Sequence, residues 1–97
     1  MNERQRLTEK AKAIWDEMLR YDFDFDFVLD EYGTTKASAE QDAEHMLEGE
    51  KGEGYRDDIY EALRELHFTE EEISGINQAC LENRMQEMLV EELKNRL

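Results

Sequence analysis

Three aspartates that alternate with aromatic residues are the side chains best placed to bind a metal ion. Asp22, Asp24 and Asp26 have the spacing of the first three ligands in the calcium loop of EF-hand proteins. That loop also needs a glycine at its sixth position for a sharp turn and a glutamate at its twelfth as a bidentate ligand. Phe27 and Gly33 occupy these positions here. The alternation therefore predicts a solvated acidic surface rather than a calcium site.

The two histidines lack the partners that a metal site requires. His45 follows Asp42 at a spacing of three residues, but a di-iron helical bundle needs two Glu-x-x-His pairs. His67 has Arg64 three residues before it, and the positive charge opposes a bound cation. We expect His45 on the surface, His67 at the edge of the core, and neither a metal ion nor another cofactor.

Nucleophilic and phosphate chemistry are also poorly supported. Cys80 lies on an apolar helical stripe with no basic cluster near it in sequence, so it is expected to behave as a small hydrophobic side chain. The glycine-rich segment 49–54 contains Glu50 and Glu53, which repel a phosphate, and its composition is typical of a flexible linker. Carboxylate pairs are too abundant to single out an acid and a base. The sequence therefore predicts a protein that is not an enzyme.

The chain is strongly acidic. Its 97 residues include 26 Asp or Glu and 12 Lys or Arg, a formal net charge of −14. Residues 1–13 carry four basic and two acidic side chains, a net charge of +2, so the remainder carries −16. Direct binding to nucleic acid is disfavoured, because it requires Lys and Arg to displace counterions from the phosphates. A surface of this charge attracts basic proteins instead and speeds their association.

No membrane-spanning or secretory signal is visible in the sequence. No apolar run exceeds three residues, so neither a membrane span nor a membrane partner is expected. The first residues lack the apolar region of a signal peptide. The single Cys80 cannot form an internal disulfide. Together these features predict a cytoplasmic protein.

Two acidic tracts are the candidate partner-binding surface. On a helix, Asp22, Asp26 and Asp30 would form a row with a spacing of about 6 Å; on a strand, Asp22, Asp24 and Asp26 would be about 6.6 Å apart. Either row is comparable in order of magnitude to the charge density of a nucleic-acid strand. The second tract comprises Glu40, Asp42, Glu44, Glu48, Glu50, Glu53, Asp57, Asp58 and Glu61.

Two aromatic residues accompany the first tract. On a helix Phe23 and Phe27 would lie opposite the main apolar stripe, and buried aromatic side chains usually supply much of the affinity of an interface. We therefore expect both to anchor a partner. The predicted partner-binding residues are Asp22, Phe23, Asp24, Asp26, Phe27, Asp30, Glu40, Asp42, Glu44, Glu48, Asp57 and Asp58.

The first part of the chain carries an apolar seam at alternating spacings of four and three, which predicts a helix over 5–32. From residue 21 the aromatic alternation also has the period of a strand. Asp is poor in strand interiors, and the chain offers no second strand to pair with, so we favour helix over 21–29 and keep strand as the alternative. The seam consists of Leu7, Ala11, Ile14, Met18, Tyr21, Phe25, Val28 and Tyr32.

Three further helices are predicted, over 38–48, 55–67 and 70–97. Gly33 suits a left-handed helix C-cap. Capping boxes are expected at two helix starts, Ser38 with Gln41 and Thr69 with Glu72. The fold prediction is an all-α bundle of three to four helices forming one domain over 1–97.

These features predict an inhibitor that binds the basic, nucleic-acid-binding surface of another protein. In size, acidity and helical character the whole chain is similar to phage-encoded inhibitors of CRISPR and restriction systems. That similarity implies a stoichiometric inhibitor, a DNA mimic with no catalytic residues. The alternative is a helical adaptor or regulatory subunit, a homodimer formed through the apolar seam and the Leu- and Met-rich segment 73–97. A metal-binding or enzymatic domain is the third hypothesis.

Overall fold

A computed structural model describes residues 2–97 and contains six α-helices over that range. The all-α prediction is confirmed, and no strand occurs within the described residues. The number of helices is larger than predicted because two of the predicted helices are interrupted. The helices are α1 (Glu3–Tyr21), α2 (Phe25–Tyr32), α3 (Ala39–Glu48), α4 (Glu50–Glu65), α5 (Glu70–Ser74) and α6 (Gln78–Asn95).

The predicted helix over 5–32 is wrong at its centre, and the strand alternative is wrong as well. α1 ends with Asp22 as its C-cap, and α2 begins with Asp24 as its N-cap. The Asp24 carboxylate accepts a hydrogen bond from the backbone N–H of Phe27 at 3.0 Å, as aspartate does at a helix start. The aspartates therefore end one helix and begin the next, and the predicted row of Asp22, Asp26 and Asp30 does not lie on one helix.

The predicted helix over 70–97 is also divided. α5 ends at Ser74, and Asn77 caps α6 by accepting a hydrogen bond from the backbone N–H of Cys80 at 3.1 Å. Gly75 lies at the break; glycine is a weak helix former, and asparagine is a favoured N-cap. A local cap here is more favourable than one continuous helix.

The Thr69 capping box is confirmed. The Thr69 hydroxyl accepts a hydrogen bond from the Glu72 N–H at 3.1 Å, and the Glu72 carboxylate accepts one from the Thr69 N–H at 2.9 Å. This backbone hydrogen bond to the carboxylate lowers the pKa of Glu72. The left-handed C-cap at Gly33 is confirmed by its φ of 59°. Both features depend only on neighbouring residues.

The second capping box and the linker are wrong. Ser38 precedes α3 without a side-chain capping hydrogen bond, and its hydroxyl donates instead to the Asp42 carboxylate at 2.9 Å. Residues 50–54 form the beginning of α4, and Gly49 alone lies between α3 and α4. Gly52 is buried where the first turn of α4 passes the Leu47 carbonyl, and a β-carbon at this position would overlap that carbonyl. This glycine therefore permits a tight corner rather than a flexible loop.

Trp15 is the largest buried side chain, and the apolar seam did not include it. It is fully buried, its indole N–H donates to the Met85 carbonyl at 3.2 Å, and its ring lies 5.6 Å from that of Tyr55 between centroids. The buried face of α1 is consequently rotated away from the predicted seam. Leu7, Ala11, Phe25 and Val28 of the seam are buried, whereas Tyr21 is 71% exposed and Ile14 and Met18 are half-buried.

Helices α1 and α6 form the centre of the bundle. α1 contacts α4, α5 and α6, and α6 also contacts α3. Asp16 of α1 accepts hydrogen bonds at 3.3 and 2.8 Å from the Arg84 guanidinium of α6, and this pairing raises the pKa of Arg84. Among residues 2–97, no helix is both long and apolar enough to cross a membrane.

Candidate protein-binding surface

The negative charge of the chain lies at the surface. None of the 26 carboxylate side chains is buried, and only four are even half-buried. Eight of them form ion pairs with Lys or Arg within residues 2–97. The other eighteen have no such partner in the described part of the chain, so most of the charge is available to a second molecule.

One concentration of carboxylates lies between α3 and α6, and we name it the acidic groove. Glu40, Glu44 and Glu48 follow one another at four-residue spacing along α3, about 6 Å apart by helical rise. Glu82 and Glu87 of α6 line the same groove. It comprises two depressions of about 560 and 580 Å³ that share Glu44 and Gln86.

The interior of the acidic groove is less polar than its margin. Leu47, Met85 and Val90 line it between the two helices, and the Gln86 amide donates to the Glu40 backbone carbonyl at 3.1 Å. Lysine and arginine place an aliphatic stem on apolar surface while the charged group contacts carboxylates. The groove therefore has the chemistry that accepts such side chains.

Two basic residues of the chain itself contact the acidic groove. Arg56 lines one depression and donates to the Leu47 carbonyl at 3.1 Å. Lys94 pairs with Glu40 at 3.7 Å, and both side chains of this pair are exposed. Exposed ion pairs contribute little stability, so a cationic partner can replace Lys94 at small cost.

The structure brings together only part of the second predicted tract. Glu40, Glu44 and Glu48 share the acidic groove. Asp42 is half-buried and accepts the Ser38 hydrogen bond. The remaining five residues of this tract are exposed on α4 and do not line the groove: Glu50, Glu53, Asp57, Asp58 and Glu61.

The groove residues Glu82 and Glu87 were missed by sequence reasoning. They lie more than thirty residues after the α3 glutamates, and only the packing of α3 on α6 brings them near. A weak signal existed only for Glu82, which follows Leu81 at the edge of the buried stripe of α6. Glu87 lies nearly opposite that stripe by helical spacing.

The two predicted aromatic anchors have different environments. Phe23 is half-buried and packs on Phe25 and Tyr55, with ring centroids 4.6 and 5.5 Å apart. Its predicted position away from the core is wrong, because the break between α1 and α2 turns it inward. Phe27 is 57% exposed and remains accessible.

Phe27 already has a cation beside it. The Lys51 ammonium lies 5.8 Å from the ring centroids of both Phe27 and Tyr32, within the range of a cation–π interaction. It also pairs with Glu31 at 3.3 Å, and this hydrogen bond raises the pKa of Lys51. Neither aromatic residue lines the acidic groove.

The residues considered for metal or nucleophilic chemistry are dispersed. His45 is exposed, and His67 is exposed too rather than at the core edge; its φ of 73° closes the turn after α4. Cys80 is half-buried near Lys12, whose pKa is raised by hydrogen bonds to Glu9 and then to the Cys80 thiol. Within residues 2–97, no three His, Cys, Asp or Glu side chains are grouped so as to hold a metal ion.

The geometry thus offers a carboxylate-lined groove and, apart from it, an exposed aromatic pair. Comparisons of the chain with protein-family models, with curated proteins and with solved structures gave no significant match.

Proposed function

We propose that the protein inhibits a nucleic-acid-binding protein by occupying its basic surface with the acidic groove. Such an activity fits a phage-encoded inhibitor of a CRISPR or restriction system acting as a DNA mimic. The observation that carries the proposal is the line of Glu40, Glu44 and Glu48, which lines one groove together with Glu82 and Glu87 of α6.

The density of this charge supports mimicry of a phosphate backbone. Glu40 to Glu48 spans about 12 Å along α3. With Glu82 and Glu87 included, five carboxylates over about 12 Å give about one per 2.4 Å. Once Arg56 and Lys94 are counted, the groove carries about one net negative charge per 4 Å, against about one phosphate per 1.7 Å of duplex axis or 3.4 Å of single strand. A protein surface that binds phosphates with Lys and Arg meets a similar pattern of negative charge here.

The proposal predicts displacement of DNA from a suitable target. Fluorescently labelled duplex DNA would be bound to members of a panel of RNA-guided nucleases and restriction enzymes, and its anisotropy followed as the protein is added. We expect the DNA to be released from at least one enzyme. We also expect the inhibition constant to rise steeply with salt, because the protein and DNA both bind the enzyme through charge.

Two results would contradict this proposal. One is retention of DNA by every enzyme of the panel, even at low salt. The other is an inhibition constant that does not change with salt after correction for the enzyme's affinity for DNA at each salt concentration, since an interaction carried by apolar contacts would behave in that way. Direct binding of the protein to the labelled DNA, measured without enzyme, is the control and is expected to be absent because of the like charges.

The adaptor alternative rests on the part of the apolar seam that the fold leaves accessible. Four residues of the predicted dimer seam are buried in the core of the chain itself, so the seam as predicted cannot form an interface. Its remaining part on α1 is partly accessible, with Ile14 and Met18 half-buried and Tyr21 exposed. An adaptor using this surface would bind its partner with an affinity that resists salt, which separates it from the inhibitor.

A further inference from the structure

The two depressions of the acidic groove meet at Glu44 and Gln86, the residues that line both of them. Glu44 is the middle member of the glutamate row on α3, about 6 Å by helical rise from the member on either side. Its side chain is exposed and forms no ion pair within residues 2–97. The centre of the groove therefore contains a carboxylate that is available to a second molecule.

The chain's own cations lie at the two ends of the groove and leave its centre without one. Arg56 lines only the depression that contains Glu48, and it bonds the Leu47 carbonyl there. Lys94 pairs with Glu40 at the opposite end of the α3 row. Five carboxylates and two cations give the whole groove a net charge of −3: Glu40, Glu44, Glu48, Glu82, Glu87, Arg56 and Lys94.

The centre offers hydrogen-bond acceptors of two kinds, carboxylate and amide. The Gln86 amide nitrogen donates to the Glu40 backbone carbonyl at 3.1 Å, and the Gln86 Oε1 accepts no hydrogen bond from the described part of the chain. A guanidinium carries five N–H donors in a planar fork and bonds several acceptors at once, whereas an ammonium is a compact and strongly hydrated point charge. Acceptors on both α3 and α6 therefore favour arginine over lysine.

The deeper part of the groove is suited to the stem of an arginine side chain. Met85 is buried, and Leu47 and Val90 are half-buried, so these apolar side chains lie below the exposed carboxylates. An aliphatic stem covers such a surface, and a guanidinium loses less hydration than an ammonium when it enters. The chain itself has a guanidinium in this environment, because Arg56 lines one depression together with Leu47 and Met85.

We infer that the centre of the acidic groove binds an arginine side chain of a partner protein, and that Glu44 and Gln86 recognise its guanidinium. The inference rests on the proposed function, since it takes a basic protein as the partner, and it adds which basic residue is selected. A surface that acted by charge alone would accept arginine and lysine equally.

Two labelled peptides of equal charge test this selectivity. One consists of Arg-Gly repeats, and the other has lysine in place of every arginine. Their binding to the whole chain would be followed by fluorescence anisotropy at physiological salt. We expect the arginine peptide to bind about tenfold more tightly, the difference that one additional hydrogen bond to a charged group makes. Equal affinities, or tighter binding of the lysine peptide, would overturn the inference.

A pair of charge-neutralising variants tests the role of the central carboxylate. Glu44→Gln is expected to remove most of the preference for the arginine peptide. Glu53→Gln makes the same change in charge at an exposed residue outside the groove, and it is expected to keep the preference. An equal loss of preference in both variants would place the selectivity in the net charge and contradict a site at Glu44.

A second pair of variants leaves the charge unchanged. Gln86→Ala is expected to weaken binding of the arginine peptide about threefold and to leave the lysine peptide unaffected, because an acceptor is lost without a change in charge. Gln41→Ala is the control, since Gln41 lines one depression only, and both peptides should bind it as they bind the wild type. Far-UV circular dichroism would establish that the variants are folded. Unchanged binding of the arginine peptide to Gln86→Ala would exclude Gln86 from the site.

The peptide experiment needs no target enzyme, so it is separate from the DNA-displacement assay. Selective binding of the arginine peptide, together with retention of DNA by every enzyme, would support the arginine site and contradict the inhibitory function. Release of DNA, together with equal affinities for the two peptides, would support the inhibitory function and contradict the arginine site.

Discussion

Replacing Trp15 with alanine is expected to lower the free energy of unfolding by about 3–5 kcal/mol. The indole is fully buried between α1, α4 and α6, contacts Tyr55, and donates a hydrogen bond to the Met85 carbonyl. Its removal leaves a cavity that rigid helices fill only in part. Since a domain of this kind is stable by about 5–15 kcal/mol, the variant should be close to unfolding. Urea denaturation followed by far-UV circular dichroism measures the loss.

Trp15→Phe is the matched control. Phenylalanine keeps much of the ring but cannot donate to the Met85 carbonyl, so we expect a smaller loss of about 1–2 kcal/mol. If alanine cost no more than phenylalanine, the position of Trp15 at the centre of the core would be contradicted.

Gly52→Ala and Gly54→Ala are expected to change stability in opposite directions. A β-carbon at Gly52 would overlap the Leu47 carbonyl, and because that atom is backbone, the whole corner between α3 and α4 must move. We expect a loss of at least about 2 kcal/mol. At Gly54, inside α4, a β-carbon would meet no atom within 4 Å, and alanine should stabilise the helix by about 0.5–1 kcal/mol.

The two glycine variants control each other, because they make the same chemical change two residues apart. The urea denaturation midpoint should fall for Gly52→Ala and rise for Gly54→Ala. If both variants gained stability, the close approach of α4 to the Leu47 carbonyl would be refuted. If both lost stability, the helical assignment of this segment would be in doubt.

The parts of the fold that depend on neighbouring residues could be predicted from the sequence. The all-α class follows from apolar periodicity, and Thr69 and Gly33 form the expected caps because their partners are at most a few residues away. The break between α1 and α2 was missed because aspartate both interrupts a helix and caps one. The local caps at Asp22 and Asp24 prevailed over a seam that continued through them.

Other predictions were wrong where tertiary contacts, rather than neighbouring residues, determine the structure. The composition of 49–54 is typical of a loop, but Gly52 is needed for the close approach of two helices, which no local pattern reveals. Trp15 was missed because the buried face of α1 is set by α4 and α6 rather than by the regularity of the seam.

The candidate site could be predicted only in part, because one of its walls depends on local helical spacing and the other on tertiary packing. Glu40, Glu44 and Glu48 follow from helical spacing within α3. The opposite wall, Glu82 and Glu87, depends on the packing of α3 on α6. The predicted position of Phe23 away from the core is wrong because the direction of its side chain depends on the turn after α1.

The most direct test of the account compares two charge-reversal variants in the DNA-displacement assay, using an enzyme from which the wild type releases DNA. The variant E44K/E48K changes the acidic groove, and E53K/E71K makes the same change in net charge at exposed residues outside it. Circular dichroism and urea denaturation would establish that both are folded. We expect the groove variant to inhibit about a hundredfold more weakly than the wild type, because like charges then face the basic surface of the enzyme. The control is expected to inhibit at least tenfold more strongly than the groove variant at physiological salt, through its intact groove. Equal weakening of the two variants would contradict the account, since inhibition would then depend on net charge and not on the groove between α3 and α6.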